Sequence, residues 1–229
     1  MREHAMALPK HANKGTHLID ALAKGLAPKP VAAPAVPAPV PDARYQKLLN
    51  PLWPEARWDV SGAFAYDLLL MKFHDFFQRG HGVRLLTAVH GSPLCLWNGG
   101  RQKWNFRMER DAIEQTIRNY DFRAIPLELT FSSTIIHPQH LQDFRGNFIL
   151  DLLSACNRSR ANGVIVCEET LAEHVRKHHP TLRLIASVVK VSKEDGKGKL
   201  DYYRRLAERY DKVMIHPDDN FNLELLAKL

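Results

Sequence analysis

From Val83 onward, short apolar runs alternate with segments in which apolar residues recur at helical spacing. The runs are 83–90 (VRLLTAVH), 126–133 (PLELTFSS), 163–168 (GVIVCE), 182–191 (LRLIASVVKV) and 212–216 (KVMIH). Their length and their content of Val, Ile and Leu predict strands. Over 138–156, Leu141, Phe144, Phe148, Ile149, Leu152, Leu153 and Cys156 fall on one stripe, and Pro138 suits a first helical turn. Shorter stripes follow at 170–178 (Leu171, Val175), 199–210 (Leu200, Tyr203, Leu206, Tyr210) and 222–229 (Leu223, Leu226, Leu229). Upstream, 63–79 predicts a helix with Phe64, Leu68, Phe73 and Phe77 on its apolar side, closed by Gly80 and Gly82.

This rhythm predicts an α/β fold of parallel strands joined by helical crossovers. Run 126–133 distinguishes the two architectures that use such units. Leu127, Leu129 and Phe131 point one way, while Glu128, Thr130 and Ser132 point the other. A polar inner face suits the interior of a barrel and sits badly beneath a packed helix. The expectation is a partial or shortened TIM-like barrel, with an open, mostly parallel doubly wound sheet as the alternative. Five units fall short of the eight that a closed barrel needs, so a protein partner covering an open sheet edge is part of that expectation.

Ahead of the repeats the chain changes character. Residues 28–41 hold six of the fourteen prolines, interleaved with Ala and Val, and predict an extended linker. Residues 1–27 predict a basic arm, and 42–82 a cap and helix before the β/α domain at 83–229. Net charge is +7 over 229 residues, of which the first 41 residues carry +3, leaving a mild excess on the domain. That distribution does not favour nucleic acid as a partner. No apolar run reaches the roughly 20 residues that span a bilayer. Three cysteines, Cys95, Cys156 and Cys167, make no disulfide framework, and a reducing, cytoplasmic location is expected.

In parallel α/β folds, ligands bind at the C-terminal ends of the strands. Those ends carry His90, Ser132 and Ser133, Glu168, Lys190 and His216. His90, Glu128, Glu168, Lys190 and His216 are the candidate catalytic groups. Lys190, closing an apolar run, has the setting of an amine that burial activates. His90, Glu168 and His216 are metal-ligand types, as are His137 and His140, but their spacing matches no metal motif, so metal and cofactor stay unassigned. Cys167, beside two glutamates, reads as structural. The segment 93–107 (PLCLWNGGRQKWNFR) predicts a hairpin turning at Asn98-Gly99-Gly100. Its Trp97, Arg101, Lys103 and Trp104 would form a lip over the rim that takes a small anionic or ring-containing ligand by stacking and ion pairing. Walker, dinucleotide-binding and G-x-S-x-G sequences are lacking.

The stretch DFRGNFILDLLSACNRSRANGVIVCEETLAEHVRKHHPTLRLIASVVKV, with the later YDKVMIHPDDN, resembles part of the barrel of U32-type peptidases and similar uncharacterised bacterial and phage proteins, over about residues 84–229. The resemblance implies the barrel fold. It implies no catalytic residues, because the cysteine-bearing segment that follows in that group has no counterpart here. Two function classes fit the sequence: an enzyme or degenerate enzyme with its site at the strand ends, and a non-catalytic binding module tethered by its N-terminal arm, contacting nucleotide or nucleic acid through the 97–107 segment. The enzyme reading expects Glu128 and Lys190 to be buried within reach of each other.

Overall fold

A computed structural model describes residues 41–49, 55–101 and 108–229; the arm and nearly all of the Pro/Ala linker lie outside them. The described residues fall in one unit, Ala38–Leu229. In chain order the elements are α1 (Ala43–Gln46), β1 (Trp58–Ser61), α2 (Asp67–His74) running into a π-helical turn (Asp75–Gly80), β2 (Leu86–Gly91), a 3-10 segment (Leu96–Arg101), α3 (Arg110–Phe122), β3 (Leu127–Phe131), a 3-10 segment (Pro138–Gln142) and α4 (Phe144–Ala155). There follow β4 (Gly163–Val166), α5 (Glu169–His178), β5 (Arg183–Ala186), α6 (Val188–Lys193), α7 (Leu200–Ala207), β6 (Lys212–Val213), a 3-10 turn (Pro217–Phe221) and α8 (Leu223–Leu226).

All six strands are parallel and lie in one sheet in the order β1-β2-β3-β4-β5-β6. The order never reverses, so there is no switch point of the doubly wound kind. Laid flat at about 4.8 Å per strand, six strands would separate β1 from β6 by about 24 Å. Yet the side chain of Lys212 in β6 bonds to Asp59 in β1. Only a strongly curled sheet allows that contact, and the fold is a half-barrel.

Curling gives the sheet two unlike faces. On the convex side Leu127, Leu129 and Phe131 are buried among helical residues such as Ile113, Ile117, Tyr120, Ile149 and Leu153. Helix α3 contributes Ile113, Ile117 and Tyr120 at turn spacing, and the Tyr120 hydroxyl donates to the Ala63 carbonyl at 2.7 Å. On the concave side Ala88, Ile165 and Ile185 are buried but stand apart from that core. Asn162 stitches the bottom of the sheet. It accepts from Leu127 N at 2.9 Å and donates to the Cys156 carbonyl at 2.6 Å, tying β3 to the end of α4.

Three sequence expectations need correction. The cap at 42–62 contains β1, whose four residues WDVS alternate apolar and polar but are too few, and too exposed, to stand out as a strand. The run 182–191 is a strand only to Ala186. Ser187 then accepts from Val189 N and starts α6, so an apolar run with no clear period hid a strand–cap–helix passage. The expected hairpin is, over Leu96–Arg101, a 3-10 segment. Asn98 donates to the Thr130 carbonyl and accepts from Cys95 N, and Ser133 N donates to the Trp97 carbonyl, so this part of the segment is laced to the end of β3, while 102–107 lie outside the described residues.

Candidate functional site

Register decides which side chains share the concave face, because residues paired across a sheet point to the same side. One row runs Ser61, His90, Glu128, Gly163, Arg183. The next runs Thr130, Ile165, Ile185, Lys212, and Asp59 stands one pair below Ser61. Two acids, two bases, a histidine and two hydroxyls therefore line the inside of the half-barrel.

At its centre Lys212 Nζ lies 3.0 Å from both carboxylate oxygens of Glu128 and bonds to Asp59 as well. The Glu128 side chain is wholly buried. Burial raises its carboxyl above the ordinary glutamate range, and the Lys212 ammonium only partly offsets that rise. His90 sits beside this network. Burial lowers its pKa and the Lys212 charge adds to the effect, while Asp59 opposes it, so the ring is held toward its neutral form.

Above this layer, at the C-terminal ends of β1–β3, opens a cavity of about 230 Å³ lined by Ser61, Phe64, His90, Asn98, Thr130 and Ser132, with the small residues Gly62, Ala63 and Gly91 among the rest of its wall. Two polar atoms of this lining, His90 Nδ1 and Thr130 Oγ1, are buried with no hydrogen-bond partner. Ser132 is not free in the same way, since its hydroxyl donates to the Asn98 carbonyl at 3.1 Å. Gly91 is hemmed in at the wall: a Cβ there would lie 3.2 Å from Ala63 N.

Of the expected catalytic groups, the structure brings His90 and Glu128 together on this face and places the others elsewhere. Lys190 is buried, but on α6, where its ammonium pairs with Glu194 at 2.7 Å and Glu169 at 3.7 Å. The partner of Glu128 is Lys212, not Lys190. Glu168 precedes α5 and pairs with Lys193. His216 precedes the 3-10 turn at Pro217; its Nδ1 accepts from Asp218 N at 3.2 Å, and its backbone N–H donates to the Tyr203 hydroxyl at 3.0 Å.

The ligand-binding expectations divide as well. Ser132 lines the cavity, whereas Ser133 turns to the Ile135 carbonyl. Trp97 is fully buried, its indole N–H donating to the His140 carbonyl at 2.8 Å, so it cannot stack on a ligand. Lys103 and Trp104 lie outside the described residues, as does the side chain of Arg101. Among the described residues no group of three or more His, Cys, Asp or Glu side chains is placed to hold a metal ion. Cys167 is buried, and burial followed by the Glu168 charge raises its thiol pKa.

Asp59 and Lys212 are the members that sequence reasoning missed. Asp59 belongs to an unrecognised strand. Lys212 opens its strand and was overlooked in a search of C-terminal ends, although a lysine heading the apolar run KVMIH is a natural counter-charge for an inward glutamate. Comparison with known protein families, characterised proteins and solved structures finds no match to this chain. Its chemistry is therefore read from the site alone.

Proposed function

We propose that the protein binds a small, uncharged molecule bearing hydroxyl or amide groups in the cavity at the ends of β1–β3, and that His90 exchanges a proton with it. The observation that carries this reading is the pair of buried, unpartnered atoms, His90 Nδ1 and Thr130 Oγ1, on one cavity. Each costs about 1–3 kcal/mol when left unsatisfied, which a ligand would recover. The lining holds no charged side chain besides His90, itself held toward neutrality, and this favours a neutral ligand. A volume of about 230 Å³ lies below the usual drug-sized pocket and favours a molecule of few heavy atoms.

A histidine with lowered pKa can take a proton from a substrate hydroxyl and return it. The Glu128–Lys212–Asp59 network beneath it holds the local charge fixed during that exchange. Three cysteines without disulfide partners support placing this activity in the reducing cytoplasm.

Thermal-shift screening against small neutral polyols and amides tests the reading. Stabilising compounds are expected, and their effect should vanish in T130V and in H90A. T130V alone should raise the ligand-free stability by about 1 kcal/mol, because it removes an unsatisfied hydroxyl. Stabilisation by a compound that persists in both variants would overturn the assignment.

A second reading, a non-catalytic binding module, is favoured by one observation. Tyr66, Leu68, Leu69 and Phe76, on and beside α2, are all at least half exposed, next to the edge strand β1 and its exposed Trp58. Recovery of the bound ligand unchanged after prolonged incubation would select it over the enzyme.

A further inference from the structure

At the opposite end of the sheet, before the N-termini of β3–β5, lies an open cleft of about 580 Å³. Its walls are Asp121 at the end of α3, Ser154 and Ala155 at the end of α4, Asn157, Arg158 and Arg160 in the following loop, and Thr181 ahead of β5. Three features set this cleft apart. Arg160 adopts φ of 55°, the left-handed region that favours glycine. The loop that carries it is pinned from both sides: Arg160 N donates to the Asn157 carbonyl, Ala161 N to Ser159 Oγ, and Asn162 N to Asn157 Oδ1. The Arg160 guanidinium itself makes no hydrogen bond or ion pair with any described residue.

The neighbouring groups include one acid, which is engaged, and a pair of hydroxyls. Asp121 accepts from Arg158 N at 2.6 Å and faces the Arg158 guanidinium at 3.9 Å, so its charge is engaged. Ser154 Oγ and Thr181 Oγ1 stand 3.1 Å apart and share one hydrogen bond, which leaves one hydroxyl hydrogen free to donate outward. A residue held in a costly backbone conformation, bearing an uncompensated cation beside a donating hydroxyl, is a positioned anion receptor. A planar guanidinium fork and a hydroxyl lining the same cleft are donors of the kind that take the oxygens of a tetrahedral anion.

We propose that this cleft binds the phosphate group of a small phosphorylated molecule, with Arg160 as its principal ligand and Arg158, Ser154 and Thr181 completing the shell. The site is independent of the rim cavity and lies at the other end of the strands. The backbone supplies a discriminating variant, since glycine adopts a φ of 55° freely and R160G removes the guanidinium without forcing a new conformation.

The test is the melting temperature of the full chain titrated with inorganic phosphate, against chloride at matched ionic strength. At phosphate ten times its Kd, a rise of about 3–5 °C is expected over the chloride control. R160G should melt at the same temperature as the parent or higher without phosphate, and should show no phosphate-specific rise. R160N, which also tolerates the backbone conformation, should behave like R160G. An equal response to chloride, no response in the parent, or an undiminished response in R160G and R160N would each overturn the proposal.

Discussion

Two ionisable side chains on the concave face carry opposite pH signatures. Burial lifts Glu128 above its ordinary value of 4.5, against the pull of Lys212. The folded protein therefore binds a proton at this site more readily than the unfolded chain does. Its contribution to stability is fully present below the ordinary value and is lost as pH rises through the raised one. Substituting K212M removes the opposing pull and leaves Glu128 buried beside Asp59 alone. A loss of about 2–3 kcal/mol is expected at pH 8, and a smaller one at pH 5, because a raised carboxyl pKa makes protonation of Glu128 easier as pH falls. Urea denaturation at the two pH values checks this, and an equal loss at both would contradict it. His90 runs the other way: burial lowers it below 6.5, so its contribution is lost as pH falls from that value through the lowered one. His74, His174 and His179 shift in the same direction for the same cause. H90N should therefore flatten, without abolishing, the decline in stability between pH 7.5 and pH 5, as followed by the same denaturation series. Glu128 was legible in the sequence because LELTFSS alternates cleanly; Lys190 was misplaced because LIASVVKV is apolar throughout and only Ser187 marks where the strand stops.

Elements are positioned here by close approaches as much as by apolar stripes. Trp97 packs against the first turn of α4, where a Cβ on Gly146 would lie 2.6 Å from its indole ring. The ring cannot retreat, since its N–H is fixed to the His140 carbonyl and it meets Phe131 in a T-shaped contact with centroids 5.3 Å apart. G146A should cost about 2–3 kcal/mol in chemical denaturation. The pair G146A/W97F should lose less than the sum of its singles, because a smaller ring makes room. Additive losses would contradict the packing. This contact explains why Trp97 misled: beside Asn-Gly-Gly it looks like part of a surface lip, but it is a buried brace. Helices α4, α5 and α7 were more legible, since their buried positions recur every three to four residues over a full amphipathic turn or more.

The whole sheet is held curled by charges that cross it. Lys212 joins the last strand to the first through Asp59 and to the middle through Glu128, so one lysine substitutes for hydrogen bonds that the two sheet edges do not make with each other. A double-mutant cycle of D59N and K212M should show a coupling energy of about 1 kcal/mol or more, because the two groups touch directly; strictly additive losses would mean that the edges are held by backbone geometry alone. Parallel topology was legible in the strand–helix rhythm, and the partial barrel in the polar inner face of run 126–133, with a doubly wound sheet left as the alternative. The contact that holds the curl was not, because it depends on β1, a four-residue edge strand too short to mark itself, and on a pairing between residues 153 positions apart. A cavity lies at the ends of the first three of these curled strands. Crystallographic screening of small neutral polyols and amides tests that cavity most directly. Density is expected against His90 Nδ1 and Thr130 Oγ1 at the ends of β1–β3. Fragments distributed over other surfaces, with this cavity bare, would contradict the account.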